Sequence, residues 1–489
     1  RFIDRSQAYE QGNGLINVGA AYDQLRTNIK TVNITGRVPV HTNLSGFLAT
    51  PGIGTGIYDR EGVTVGEAYT REYTLTRTTG GSKAITYKVS LVGNDGTFST
   101  AESVELPLNK AVKLPVRVNP AKVGEHSAIL RLDDPSTVGV DFATMNVVVA
   151  AHEFTAAANY QVKITGEVGR NQVAHHFFRV PAGVPALKVD FSGPDASSGT
   201  GQARFLRYSP WGLPVDSNTS TQCYNPPVPG GGCSGGTPTS RTAAAPIAGV
   251  WEVAVEARRT SDADVTPYTL TVSVLGADVA PNPDVIASAK VGTPVARSYT
   301  LTNTFGEFTG RAVGGGALSS AKRATPTIAN LEKQEYFLTV APGSTSLRAT
   351  IGKPSDAGAD LDLFVYNCTS GTCPANPTAQ SADGDSEESV TINNPAAGQW
   401  KVVVDGFAVP AGTTTYNYVD VFANTAFGSV AVTDANAVRA AGASWTVPGA
   451  VTANAVPAAG RVLLGNVQVR TDANVLIGSG DVIVQSVVE

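Results

Sequence analysis

Pro246-Ile247-Ala248-Gly249-Val250-Trp251-Glu252-Val253-Ala254-Val255 returns later in the chain as Pro395-Ala396-Ala397-Gly398-Gln399-Trp400-Lys401-Val402-Val403-Val404. The stretches around them repeat as well. Phe177-Phe178-Arg179-Val180-Pro181-Ala182-Gly183 precedes the first copy, and Phe337-Leu338-Thr339-Val340-Ala341-Pro342-Gly343 precedes the second. Each copy holds a close pair of cysteines, Cys223 with Cys233 and Cys368 with Cys373, and each ends on a Tyr-led alternating strand, Tyr268 to Val272 and Tyr416 to Val421. Four landmarks in the same order identify a repeated unit. The period inside the quoted stretch is two, with Trp and Val on one face and Glu or Lys on the other, so it reads as a half-buried strand. Both tryptophans are therefore expected in cores and not on a sugar-stacking surface.

Working outward, short alternating runs fill the region before the first copy: Tyr69 to Arg77, Lys83 to Val92, Lys113 to Asn119, Ser127 to Leu132 and Phe142 to Val149. Their spacing predicts a two-sheet sandwich of the immunoglobulin or fibronectin kind. This unit also echoes itself, because Arg71-Glu72-Tyr73-Thr74-Leu75-Thr76 reappears as Arg297-Ser298-Tyr299-Thr300-Leu301-Thr302. The predicted fold class is all-β, with tandem immunoglobulin/fibronectin-like sandwiches alternating with jelly-roll domains and one short N-terminal helix. The expected boundaries are 1–30 for a helical lead-in, 31–155 for a sandwich, 156–277 for the first jelly roll, 278–325 for a partial sandwich, 326–424 for the second jelly roll and 425–489 for a terminal sandwich. An alternative joins 278–325 to 425–489 as one sandwich carrying the second jelly roll as an insert.

Composition supports the reading. Over 489 residues the chain carries 51 Gly and 29 Pro, only 16% charged residues and a net charge of -5, which is strand-and-turn usage spread over several domains. No basic run offers itself to a phosphate backbone, so nucleic acid is not an expected partner. No apolar run approaches the ~18 residues of a spanning helix. The chain opens Arg1-Phe2-Ile3-Asp4 in mid-pattern, and a piece of a longer precursor is expected. Each cysteine pair can close a small disulfide loop, which favours an oxidising, exported location. A zinc site would instead need ligands converging from two modules with no histidine nearby.

Near the N-terminus, Leu15, Val18, Tyr22 and Leu25 recur at helical spacing behind Asn17, a good N-cap residue. Such a short helix needs a partner, so these side chains are expected to pack on a neighbouring module or on a preceding domain. Gln11-Gly12-Asn13-Gly14-Leu15-Ile16-Asn17-Val18, with Ala20, Ala21 and Leu25, resembles the final helix of subtilisin-like catalytic domains. Asp360-Leu361-Asp362-Leu363-Phe364-Val365-Tyr366, the acidic loop from Asp383 and the Trp400 strand resemble the pre-peptidase C-terminal domain found behind secreted bacterial peptidases. The first copy departs from that pattern, having no Asp-Leu-Asp strand. These resemblances imply a bacterial, secreted or cell-surface protein whose upstream partner is a serine peptidase domain of the same precursor.

No catalytic residue is assigned within the chain. Subtilisin-type chemistry needs an Asp-His-Ser constellation, and the sequence holds neither a Gly-Thr-Ser-x-Ala run nor a His in a recognisable base setting. His175 and His176 are strand neighbours facing opposite sides, so they are not expected to share a metal. Asp360, Asp362, Asp383, Asp385 and Glu387 offer hard oxygen ligands at alternating positions, and calcium is the candidate ion. The function expected is a non-catalytic C-terminal accessory region of a subtilisin-like serine peptidase, for stability or attachment. The alternative is an adhesive cell-envelope module that binds an extracellular protein or polysaccharide.

Overall fold

A computed structural model describes every residue except 1, 4, 5, 28, 30, 31, 195–198, 217–222 and 227–238. The chain divides into two compact units, Arg1–Val274 and Leu275–Glu489, and strands dominate both.

The first unit begins with two short helices, Ala8–Gln11 and Val18–Leu25. Asn17 caps the second, its side chain accepting from Ala20 N at 3.0 Å. Leu15, Ile16, Val18, Tyr22 and Leu25 are 60–86% exposed, so the expected packing on a neighbouring module is not what the chain shows. The first helix does dock: Ala8 is buried, Tyr9 N donates to Ser127 Oγ at 3.2 Å, and Tyr9 Oη donates to Glu125 Oε1 at 3.1 Å.

The following sandwich has one sheet in the order Ile53–Gly54, Ile34–Pro39, Tyr69–Arg77, Ala111–Val118 and Phe98–Thr100, and a second in the order Tyr58–Asp59, Phe142–Ala150, Gly124–Asp133, Ile85–Val92 and Ser103–Leu106. Alternation puts Tyr73, Leu75, Leu114 and Val116 of one sheet against Tyr87, Leu130, Leu132 and Val148 of the other in a common core. Tyr58–Asp59 pairs parallel to Val147 and Val148, while its neighbours are antiparallel. The buried Asp59 carboxylate beside it accepts from His41 N, Tyr69 Oη and Arg71 Nε at 2.8–2.9 Å.

A second pair of four-stranded sheets follows, containing Val173–Val180, Gly249–Ala257 and Ala203–Tyr208 on one side and Gln161–Gly169, Val265–Leu275 and Ala186–Ser192 on the other. Phe191 and Phe205 meet between them with ring centroids 5.6 Å apart. A buried seam of Val149, Ala151, Phe177 and Val250 ties the two sandwiches of this unit together.

In the second unit, strands from the two ends of the sequence interleave. One sheet runs Ala277–Ala280, Val295–Asn303, Ser444–Ala453, Gly428–Val432 and Gly316–Ala317. The other carries Asp284–Ile286, Leu476–Val484, Val462–Thr471 and Ser319–Ala324, and then continues without a break through Asn417–Ala423, Ser346–Gly352 and Ser389–Asn393. Ser319–Ala324 pairs on one edge with Val462 to Leu464 and on the other with Tyr418 to Ala423. Arg461, its side chain 7% exposed, crosses that junction, donating to Ser320 Oγ at 2.7 Å and to Asp420 Oδ1 at 2.5 Å. A four-stranded sheet, Lys333–Val340, Gly398–Ala408, Asp360–Asn367 and Ala379–Ser381, covers the other face of the segment between, and two-stranded pairs join Ala289–Lys290 to Val487–Val488 and Thr327–Ala329 to Thr413–Thr415.

The internal repeats have structural counterparts. Trp251 and Trp400 are 4% and 1% exposed. Each indole donates to the carbonyl four residues earlier, Ile247 at 2.8 Å and Ala396 at 2.9 Å. Gly249 and Gly398 both take φ +127°, a value side chains resist. Likewise Asp284 occupies, in the second unit, the place of Asp59: it is buried on a parallel strand and accepts from Arg297 Nε at 2.8 Å and Tyr299 Oη at 2.9 Å.

Candidate functional site

The acidic residues singled out in the sequence lie on Asp360–Asn367 and on the loop that leads into Ser389–Asn393. Leu361, Leu363 and Val365 turn inward and are fully buried, so Asp360 and Asp362 must face outward. Ser386 staples the loop to the start of that strand: its hydroxyl donates to Ala359 O at 2.6 Å and accepts from Leu361 N at 3.1 Å. The loop then folds through side-chain turns, with Asp385 N donating to Asp383 Oδ1 at 3.2 Å and Glu387 N to Asp385 Oδ1 at 2.7 Å.

This staple brings together Asp383, Asp385 and Glu388, whose carboxylate oxygens lie within 4.8 Å of one another. Glu388 is 2% exposed and is held by Ser381 Oγ and by Asp383 N, the latter at 2.9 Å. Asp360 adjoins the group; burial raises its pKa, and the charges of Glu388, Asp383 and Asp385 raise it further. Its Oδ1 is buried without a hydrogen-bond partner. An orphan carboxylate oxygen next to three converging carboxylates fits a hard divalent cation, because all the donors are oxygen and, among the described residues, no Lys or Arg forms an ion pair with them. Asp362 sits farther along the strand, opposite Asp405. Burial first, then Asp360, Asp405 and Glu388, push its carboxyl up to about 6, and Lys333 opposes them.

Glu387 does not join the cluster. Its Oε1 accepts from Lys353 N at 2.7 Å, and its carboxylate fills the space over Gly352 where a Cβ would lie 2.2 Å from Oε2. Glu388, which sequence reasoning passed over, takes its place. Ser386, Glu388 and Val390 are buried while Glu387 and Ser389 are exposed, an alternation that begins in the loop and continues into the strand.

The first copy has a different arrangement at the equivalent point. Counting five residues on from each tryptophan, Glu256 corresponds to Asp405, and it faces Arg204 across the strand pair where Asp405 faces Asp362. Arg204 Nη2 donates to Glu256 at 2.7 Å. The first copy is thus charge-matched across that strand pair, and the second sets Asp362 against Asp405 there, with the compensating charge supplied from the other neighbouring strand by Lys333, whose Nζ lies 2.8 Å from Asp405 Oδ2.

Of the cysteines, Cys368 and Cys373 form a disulfide. Cys223 is buried, and its expected partner Cys233 lies outside the described residues.

The histidines hold structural positions. His126 Nδ1 contacts both Asp95 Oδ2 at 2.6 Å and Thr97 Oγ1 at 3.0 Å, while Nε2 contacts Lys122 O at 2.9 Å. A relay needs the hydroxyl and the carboxylate on opposite ring nitrogens, so this trio does not activate Thr97. His175 Nδ1 pairs with Glu252 Oε1 at 2.7 Å, and His176 Nε2, on the other face, meets Tyr268 Oη at 2.7 Å. Burial depresses His176 to about 4 and keeps it neutral. Glu252 also reaches Arg60 of the preceding sandwich at 3.5 Å.

No helix among the described residues is long and apolar enough to cross a membrane. Residues 35–150 match the family described as the Ig-like domain in actinomycete serine proteases. Over 300 residues the chain is 24% identical to pyrolysin of Pyrococcus furiosus, covering 59% of this chain and 19% of pyrolysin. It therefore spans about a fifth of that relative. Among solved structures it aligns with tripeptidyl peptidase 2 at 11% identity and TM-score 0.46, covering 99% of this chain and 43% of that one. It also aligns with the secreted serine protease VesC from Vibrio cholerae at 12% identity and TM-score 0.25, covering 53% and 54%. The chain thus carries an Ig-like region of the kind associated with serine proteases.

Proposed function

We propose that this chain is the non-catalytic C-terminal accessory region of an exported subtilisin-like serine peptidase, with jelly-roll modules of the pre-peptidase C-terminal type. The match of residues 35–150 to a serine-protease Ig-like domain carries this reading. Two further observations support it. The helix Val18–Leu25 presents an exposed apolar side just ahead of that domain, as expected of a segment covered by a linked peptidase domain. The Cys368–Cys373 disulfide suits an oxidising, extracellular setting. Calcium is the ion proposed for the cluster of Asp360, Asp383, Asp385 and Glu388, where it would rigidify the loop against proteolysis.

The test is to immunopurify the native polypeptide with antibodies against residues 35–150 and label it with a fluorophosphonate probe of active serine hydrolases. A labelled serine on the same polypeptide is expected. Label confined to other polypeptides, with peptide mapping that finds β-modules alone, would overturn the reading.

A further inference from the structure

On the outer face of the C-terminal sandwich, Phe308–Gly314 runs antiparallel to Val462–Thr471, and Arg311 stands directly opposite Arg470. Like charges placed face to face across a strand pair repel. Elsewhere in this unit Arg297, Arg439 and Arg461 each sit against a carboxylate. Among the described residues Arg311 and Arg470 form no ion pair. Arg470 is oriented by neutral acceptors, Gln468 Oε1 at 2.8 Å and Asn474 O at 2.9 Å. The two arginines line one cavity of about 450 Å³ together with Gln468, Asn436 and Asn474, a size typical of small-ligand sites. Its carboxylate, Asp472, is turned to its own turn, accepting from Ala473 N at 2.9 Å.

One wall has no side chains. Gly314 and Gly315 are required there by packing, since a Cβ would lie 1.9 Å from Val430 O and 1.6 Å from Asn466 Oδ1. Two guanidiniums without a carboxylate partner supply donors for an oxyanion, and beside them the amides of Asn436 and Asn474 supply donors and acceptors for hydroxyls, Gln468 being engaged with Arg470 and Asn466. We propose that this cavity binds an acidic saccharide, its carboxylate or sulfate on Arg311 and Arg470 and its hydroxyls on the amides. The chain's net charge is -5, so a polyanion gains nothing from the overall field and must be held locally. The site stands independently of the peptidase reading.

The experiment titrates the full chain by calorimetry with a trigalacturonate, a sulfated heparin tetrasaccharide, the neutral maltotriose and a hexaglutamate peptide. Either acidic saccharide, or both, should bind, weakening with added salt; which one binds identifies the anion. Arg311→Gln and Arg470→Gln should each weaken binding on the order of tenfold or more, and Arg348→Gln, on a separate strand, should leave it unchanged. Among the described residues the Arg311 side chain forms no hydrogen bond or ion pair, so Arg311→Gln should keep or raise the unfolding midpoint while losing ligand, a combination that a structural role does not produce. Absence of binding to both acidic saccharides, equal binding of maltotriose or hexaglutamate, or unchanged affinity in the two arginine variants would each overturn the proposal.

Discussion

Glu252→Gln is the perturbation that best tests how the two sandwiches of the first unit are clasped. Glu252 holds His175 at 2.7 Å and Arg60 at 3.5 Å, with side chains 15%, 31% and 11% exposed respectively. The hydrogen bond to Glu252 raises the His175 pKa, burial opposes it, and the charges of Glu125 and Glu10 add to the rise. A histidine whose folded pKa lies above its unfolded ~6.5 contributes stability that is fully present below that value and is lost as pH climbs through the folded pKa. A charge-assisted hydrogen bond contributes about 1.5–3 kcal/mol, and partial exposure discounts this to about 1–2 kcal/mol. Glu252→Gln should therefore cost about 1–2 kcal/mol at pH 6 and clearly less at pH 8.5. For a unit of this size that is about 2–4 °C per kcal/mol in the unfolding midpoint. Scanning calorimetry of both proteins at the two pH values reads it, and the difference between them isolates the pair, since all other titrating groups are shared. A loss as large at pH 8.5 as at pH 6 would refute the reasoning.

Asp284→Ala should destabilise the second unit by about 2–3 kcal/mol, because it removes charge-assisted hydrogen bonds to Tyr299 and to Arg297, whose side chain is 30% exposed; urea unfolding of the whole chain followed by tryptophan fluorescence measures this, and a cost under about 1 kcal/mol would remove its keystone role. Calcium should raise the midpoint of the second unit by about 2.7 kcal/mol equivalent at a hundredfold excess over Kd. Glu388→Gln should abolish that gain and Glu387→Gln should preserve it, so the reverse order in calorimetry would reassign the ligands. Trp400→Ala should cost about 3–5 kcal/mol as a core truncation, read by thermal unfolding, with saccharide affinity unchanged in the folded fraction. Replacing Cys368 and Cys373 together by Ser should cost at most about 2 kcal/mol, the loop being short; hydrogen exchange should localise the change to the residues around 366–378.

Much of the architecture was legible because period-two alternation is dictated by burial on one sheet face. Tyr69–Arg77 and Phe142–Ala150 match their expected runs to within a residue, and both tryptophans are in cores. Ile34–Pro39 was not foreseen, since Gly36, Arg37 and Pro39 interrupt its apolar pattern. Pairing between Val295–Asn303 and Ser444–Ala453 is a long-range fact that alternation cannot encode; composition left its partner open. At the acidic cluster, residue type was legible, but the loop folds through side-chain turns that period-two alternation does not describe, so Glu388 joins Asp383 and Asp385 where Glu387 was expected. Arg311 and Arg470 lie far apart in sequence, and nothing local to either marks the other as its neighbour.

The strand Ser319–Ala324 is hydrogen-bonded along both edges, to the host sandwich on one side and to the inserted module on the other. The chain therefore enters the insert through backbone that is already paired, and returns through only a short turn, Thr425–Phe427, to the strand Gly428–Val432. A peptidase cleaves extended backbone that it can draw into its cleft, and exposed linkers supply it. A junction made of shared sheet offers no such segment, so cutting host from insert first requires opening the sheet itself. Under limited proteolysis, the joint between these two segments should therefore be among the last places to be cut.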